Sequence, residues 1–372
     1  MAPPLWQVHR GLFPVTQSLI YLNHAAVAPL PTPVSSAMKG LAEDATLFGS
    51  LHYDQWLSAY EGLRAAAARM IGASAAEVAI VKNTSEGIST VARGIRWCSG
   101  DRVICFEGEF PANSMPWLRL ESEGVRVESL SPQAPLDAID RAANGARLLA
   151  ISFVQYVSGH RANLEAIGEI CRRRGCLFFV DAIQGMGAFP IDVGVSRIDA
   201  LSADGHKWML GPEGCGILFV RSGVQDEIEP AEVGWTNFAR YWAYDSAQTS
   251  FRPDAGRYEC GTLNTIGCFG LRAALELLLE IGIEPIGSAV VDLTNRLAAG
   301  AAAKGYELLG ARSPSTAAGI VSVRKSGVDS AAVVRQLRDR RVLAAARNGW
   351  IRFSPHFYLS PSEIDQAIDA LP

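Results

Sequence analysis

The chain has 372 residues, 49% of them apolar and 19% charged, which is the make-up of a globular protein and not of a disordered one. Its 34 Lys and Arg against 38 Asp and Glu leave a net charge of −4, so no general pull toward nucleic-acid phosphates or anionic membranes is expected. No stretch approaches about 18 uninterrupted apolar residues, and the start MAPPLWQVHRG has no apolar h-region, which argues against membrane spanning and secretion.

From about residue 77 short β-rich runs alternate with helical stretches. EVAIV (Glu77–Val81) reads as a strand and SEGISTVARGIRW as a helix opened by Thr84 or Ser85. RVICFE (Arg102–Glu107) reads as a strand followed by a helix from about Asn113 to Glu123; VRVESL is then a strand and LDAIDRAAN helical. RLLAISFV (Arg147–Val154) is a near-continuous apolar run, LEAIGEICRRRG an amphipathic helix ending at Gly175, and CLFFVDA (Cys176–Ala182) another apolar strand. Strands without polar alternation, separated by helices, imply an α/β fold with a mostly parallel central sheet covered on both faces. IDALSAD (Ile198–Asp204) and GILFVR (Gly216–Arg221) follow on short connections, so one edge is expected to turn antiparallel.

After Gly261 the pattern becomes α+β: helices at Cys268–Ile281 and near Ser288–Lys304, strands near Tyr306–Leu309 and Ile320–Arg324, a helix at Ala331–Arg340, the strand WIRFS and a helix from Ser362. The expected division is an N-terminal segment, residues 1–20, packing at the domain junction, a large domain at 21–262 and a small C-terminal domain at 263–372. The seven cysteines are an odd number with no CxxC pair, and they read as buried thiols in a reducing cytoplasm. With no HExxH and no paired Cys/His spacing, no metal site is expected.

In open α/β sheets ligands sit beyond the carboxyl ends of the strands, and four such ends carry unusual residues. Asn83-Thr84-Ser85-Glu86-Gly87 opens a helix and suits an anion; its plain alternative is an N-cap. Phe110 offers a ring after a strand, or a core side chain. Asp181 ends an apolar run, where a carboxylate is costly unless a cation or donor meets it, and Gln184 lies one turn later. Lys207, in Ser202-Ala203-Asp204-Gly205-His206-Lys207-Trp208, fits a Schiff-base lysine facing a carboxylate that pairs a pyridinium nitrogen, with a surface loop lysine as the alternative.

Together these residues resemble the class V aminotransferase family of fold-type I pyridoxal 5'-phosphate (PLP) enzymes, which includes cysteine desulfurases, selenocysteine lyases, kynureninases and isopenicillin N epimerase-like proteins. The resemblance runs from YLNHAAVAP (Tyr21–Pro29) to IRFSPHFYLSPSEID (Ile351–Asp365), and its strongest block spans residues 180–221. It implies that Lys207 carries the cofactor and moves the α-proton, and that Asp181 holds the pyridinium protonated. It further implies that Gln184 meets the phenolic oxygen, that Phe110 stacks on the ring where many desulfurases carry His, and that Thr84, Ser85 and His206 contact phosphate. Asp204 stands where desulfurases usually place Ser, leaving open whether Ser202 or Asp204 reaches the phosphate region. Thr262, after Gly261, resembles the loop that reaches the neighbouring subunit's phosphate, which implies a homodimer with shared sites. Arg352 matches the arginine that forks onto the substrate α-carboxylate, Gln155 and Tyr156 fall where a substrate contact is expected, and His24 stands near the substrate or in the core.

Desulfurases carry a persulfide-accepting cysteine on a C-terminal-domain loop, whereas the stretch VLAAARNGWI has none and leaves no room for a long loop. A standard desulfurase is therefore not expected. The expectation is a cytoplasmic PLP-dependent homodimer acting on an amino acid by transamination, with β-elimination or C–S lysis, or epimerisation, as alternatives. An inactive scaffold of the same fold is the non-enzyme alternative. Arg347 or Arg240 could supply a second carboxylate contact. A nicotinamide-binding enzyme is disfavoured because no GxGxxG follows the first strand.

Overall fold

The computed structural model describes residues 3–244, 247 and 249–372. Seven strands form its main sheet: β1 (Val78–Val81), β2 (Arg102–Phe106), β3 (Arg126–Leu130), β4 (Leu148–Ser152), β5 (Leu177–Asp181), β6 (Ala200–Asp204) and β7 (Gly216–Val220). Their spatial order is β1-β7-β6-β5-β4-β2-β3. All neighbours are parallel except β7, which is antiparallel to both β1 and β6. The reversed strand thus lies one position in from the edge, because the connection from Asp204 to Gly216 is too short for a crossover. Alternate residues fall into two separate apolar clusters: Val78 and Ile80 pack in one, Ala79 and Val81 in the other. Burial on both faces is why these strands read as continuous apolar runs.

Between the N-terminal residues and β1 lie α1 (Thr32–Phe48) and α2 (Tyr53–Ile71), and α3 (Thr84–Gly94) follows β1. The N-cap of α3 is Asn83, whose side-chain oxygen accepts from the Glu86 N–H at 2.9 Å, so Thr84 and Ser85 are already helical. The helix expected over Asn113–Glu123 is broken into two 3₁₀ turns around a short helix at Met115–Leu118, since Pro116 lacks an N–H. α4 (Thr265–Ile281) starts earlier than the apolar pattern suggests, capped by the Asn264 side chain, and α5 (Ile283–Ala303) follows after Gly282. α4 packs on α1 and α2.

A second, antiparallel sheet orders β10-β11-β9-β8, from β8 (Glu307–Leu308), β9 (Val321–Arg324), β10 (Ala345–Arg347) and β11 (Trp350–Phe353). The N-terminal segment lies on this half of the molecule. Arg10 forks onto Glu363, Phe13 stacks on Tyr358 with ring centroids 3.7 Å apart, and Ile20–Tyr21 pairs in parallel with Val342–Leu343. Met1 and Ala2 of that segment lie outside the described residues. Cys105, Cys171, Cys176, Cys215 and Cys268 are buried, but Cys98 is exposed and Cys260 half-buried, so the expectation of seven buried thiols fails at those two turn and loop positions. No helix among the described residues is long and apolar enough to cross a membrane.

Candidate active site

The carboxyl ends of the parallel strands open onto a cavity of about 340 Å3, within the range of small-molecule sites. Thr84, Ser85, Phe110, Tyr156, Asp181, Gln184, Asp204, His206, Lys207 and Arg352 all line it, together with Arg347 and the loop Ala25-Ala26-Val27. Four expected residues lie elsewhere. Ser202 points below the cavity floor, its hydroxyl donating to the Ile217 carbonyl at 3.2 Å. It is Asp204, not Ser202, that reaches the cavity, because the two side chains are separated by one further residue at the strand end. Gln155 is spent on its own loop: its amide donates to the Gly108 carbonyl and its oxygen accepts from the Val157 and Ser158 N–H groups. His24 is fully buried away from the cavity, one ring nitrogen on the Ser354 carbonyl at 2.8 Å and the other on the Tyr358 hydroxyl at 2.7 Å. Burial and the neighbouring His356 hold its pKa well below the ordinary histidine value, so it is a neutral core histidine. Thr262 lines a separate hollow beside Lys82 and Glu86.

Lys207 follows β6 on a turn closed by the Leu210 N–H on the Lys207 carbonyl at 3.1 Å, with Leu210 at φ 60°. A buried leucine in the left-handed region costs roughly 1–2 kcal/mol, which the surrounding core must hold. Burial is the main reason the lysine pKa falls to about 8; Asp181 raises it and Arg352 lowers it further. At pH 7 such an amine is neutral in about a tenth of molecules, against roughly three in ten thousand for an unperturbed lysine. Its Nζ sits 5.7 Å from the centre of the Phe110 ring.

Asp181 is buried at the end of β5 and accepts the Ile183 N–H at 3.1 Å. Desolvation pushes its pKa up to about 6, opposed by that hydrogen bond and by Lys207. A second carboxylate, Glu109, went unread in the sequence. It accepts the Ser152 N–H at 2.7 Å and the Ser152 hydroxyl, and burial, with a contribution from Asp181, raises its pKa to about 7. Its signal was a carboxylate three residues past the end of β2, near the strand end as Asp181 is on β5.

The residues fit PLP on observations within the cavity itself. Asp181 is a buried carboxylate at the cavity wall, suited to a pyridinium N–H. The Asp204 Oδ1 and His206 Nδ1 atoms are buried without hydrogen-bond partners, although Asp204 Oδ2 lies 3.0 Å from that nitrogen. The start of α3 presents the Thr84 and Ser85 positions at the cavity, where helix N–H groups suit an anion, and the Thr84 hydroxyl accepts the Asp204 N–H at 2.9 Å, tying this helix start to the strand before Lys207. Gln184 is aimed by two contacts: its oxygen accepts the Trp208 indole N–H at 2.9 Å, and its amide donates to the Ala25 carbonyl at 3.0 Å. Among the described residues no group of three His, Cys, Asp or Glu could hold a metal ion. A larger depression of about 580 Å3 lies at the opposite ends of the strands, where Arg147 pairs with Glu227 and Arg221 with Asp199.

Residues 20–355 match the family model for Aminotransferase class-V. The chain belongs to that family. It is 31% identical over 365 residues to an uncharacterized aminotransferase of Bacillus subtilis, YcbU, covering 98% of this chain and 96% of that one. It is 28% identical to a probable cysteine desulfurase of Pyrococcus abyssi, covering 96% and 94%. Among solved structures, an apo cysteine desulfurase from Thermococcus onnurineus aligns with a TM-score of 0.91 at 26% identity, covering 99% and 97% of the two chains. A neighbour carrying glycine covalently linked to its PLP cofactor has the same fold, with a TM-score of 0.89 at 23% identity and coverage of 97% and 98%. This class V enzyme is thus PLP-dependent, with a mostly parallel α/β sheet at its centre.

Proposed function

We propose that the protein catalyses transamination of an amino acid, with Lys207 as the proton carrier and Arg352 as the α-carboxylate clamp. The observation that carries this reading is the convergence of Lys207, Asp181 and Arg352 on one cavity whose lining, among the described residues, contains no cysteine. Bound there, PLP supplies an electron sink for the pair left behind when an α-proton departs. Asp181 holds a proton at the pyridine nitrogen, and Thr84, Ser85 and His206 take the phosphate. Gln184 directs an amide N–H at the phenolic oxygen. Arg352, its Nη1 fixed on the Tyr156 carbonyl at 2.8 Å, offers its remaining donors to the substrate carboxylate and so fixes which bond at Cα stands toward Lys207. Lys207 would take the proton from Cα, and the same amine, on the same face, would hold it for the return that transamination requires. Phe110 covers the site as a ring without a proton to give.

C–S lysis is the second reading, supported by the cysteine desulfurases among the relatives. β10 and β11 are joined by only two residues, Asn348 and Gly349, and carry no thiol, so a persulfide-accepting loop has no counterpart there. Product stoichiometry separates the readings. Transamination yields one keto acid per amino group delivered to an added 2-oxo acid and no ammonia; C–S lysis yields ammonia or alanine with released sulfur from cysteine. Turnover of cysteine without any amino transfer across a panel of acceptors would overturn the first reading. The same assay on Lys207→Ala and Arg352→Gln tests the residue roles, with loss of turnover expected in the first and a KM raised at least about tenfold in the second.

A further inference from the structure

The hairpin β10–β11 turns on Asn348 and Gly349, at φ 50° and 80°. Two successive left-handed residues make the type I′ turn that suits a two-residue hairpin, and Asn-Gly is its preferred sequence. The turn fixes the register: Arg347 faces Trp350, and Ala345 faces Arg352. Directly opposed residues share a face, and faces alternate along each strand. Arg347 and Arg352 therefore stand on the same face at diagonal positions, about 7–8 Å apart along the backbone. Both line the cavity.

Neither arginine forms an ion pair among the described residues. Arg352 spends one nitrogen on the Tyr156 carbonyl, and its Nε is buried without a partner. Arg347 donates only to the carbonyl of its own neighbour Ala346, at 2.9 Å. Like charges on diagonal positions repel, and burial together with Arg347 brings the Arg352 pKa down to about 10. Of the carboxylates that line the cavity, Asp181 faces Lys207 and Asp204 lies beside His206, and neither pairs with an arginine. Among the described residues, this side of the cavity thus holds two guanidinium groups and no anion. Arg240, the other candidate for a second contact, is not among the lining residues.

We propose that Arg347 is a specificity residue and that the substrate is an amino acid with a second anion, a carboxylate or sulfinate, on a side chain of one or two methylenes. Arg352 takes the α-carboxylate and Arg347 takes the side-chain anion. The assignment rests on the amino-acid reading above and adds the substrate class to it. Arg352 is buried whereas Arg347 is exposed, so a neutral side chain leaves the second guanidinium in water and forgoes the ion pair that an anionic side chain gains, and the preference comes from that added pair.

The test is calorimetric binding to the PLP-loaded protein of L-aspartate, L-glutamate and L-cysteine sulfinate, each against a neutral counterpart: L-asparagine, L-glutamine and L-alanine. At least one acid should bind about tenfold or more tightly than its counterpart, and which acid does so separates carboxylate from sulfinate. Arg347→Gln should bring that ratio close to one, Arg347→Lys should retain part of it, and Arg352→Gln should weaken acid and neutral ligands alike. No preference for any acid, or a preference that survives Arg347→Gln, overturns the proposal. So does a change of oligomeric state in Arg347→Gln with the ratio intact, which would place the arginine in a subunit contact. If Arg352→Gln leaves all ligands unaffected, the amino-acid reading itself fails.

Discussion

At the scale of single residues, the site is a set of charges held out of water, and their cost can be measured. Asp181 has a folded pKa near 6, above the 3.8 of an unperturbed aspartate. The folded chain therefore holds this proton more tightly than the unfolded chain. Its contribution to the stability of the cofactor-free protein falls as pH rises from about 4 through 6 and stays low above that. Asp181→Asn removes the buried charge while the amide oxygen can still accept the Ile183 N–H. The expected result, read from urea midpoints of cofactor-free protein, is a gain on the order of 3 kcal/mol at pH 8 and little change at pH 4. A loss of stability at pH 8 would mean that Lys207 compensates the carboxylate fully. The same substitution should weaken PLP retention, since function and stability oppose each other at this position.

At the scale of elements, what could be read in advance followed from how strongly burial marks the sequence. The strands ending at Asp181 and Asp204 are buried on both faces, so their apolar runs and terminal carboxylates stood out, and with them most of the cavity. α1 and α2 did not, because much of the buried face of α2 is alanine (Ala59, Ala66, Ala67), which contrasts little with its surroundings. The division of labour between Ser202 and Asp204 was hidden for a different reason: it depends on how closely α3 approaches β6. A Cβ added at Gly87 would lie 2.2 Å from the Ser202 Oγ. The glycine lets the helix start settle against the strand, which brings Thr84 to the Asp204 N–H. Gly87→Ala should push the helix start away and weaken PLP affinity about tenfold with the fold retained, as measured by titrating cofactor-free protein with PLP. Adding Ser202→Gly should recover part of the loss. His24 shows the opposite case, a motif histidine whose place was decided by long-range packing: the Asn23–Ser354 bridge and Tyr358 turn it into the core.

At the scale of the molecule, Thr262 stands apart from the cavity of its own subunit. It is exposed, and the hollow it lines lies beside Lys82 and Glu86, not in the cavity of its own subunit. Several apolar side chains are also uncovered: Phe110 at the cavity is 46% exposed, Leu47 on α1 73%, Leu51 between α1 and α2 71% and Ile266 at the start of α4 40%. A second copy of the chain covering them would account for both features, and this is the homodimer we propose. Sharing of sites has a consequence that neither stability nor mass measurements can mimic. If each site combines Lys207 of one subunit with Thr262 of the other, a mixed dimer of Lys207→Ala and Thr262→Ala subunits collects both defects in one site and leaves the other intact. Mixing the two weakened variants under conditions that exchange subunits should then restore activity, up to half the wild-type value per mixed dimer. If both residues served the same subunit's site, every site in the mixture would remain defective and no activity would return. Restoration requires Thr262→Ala alone to be impaired, so the single variants are assayed alongside. Full activity of Thr262→Ala would remove the residue from the site altogether.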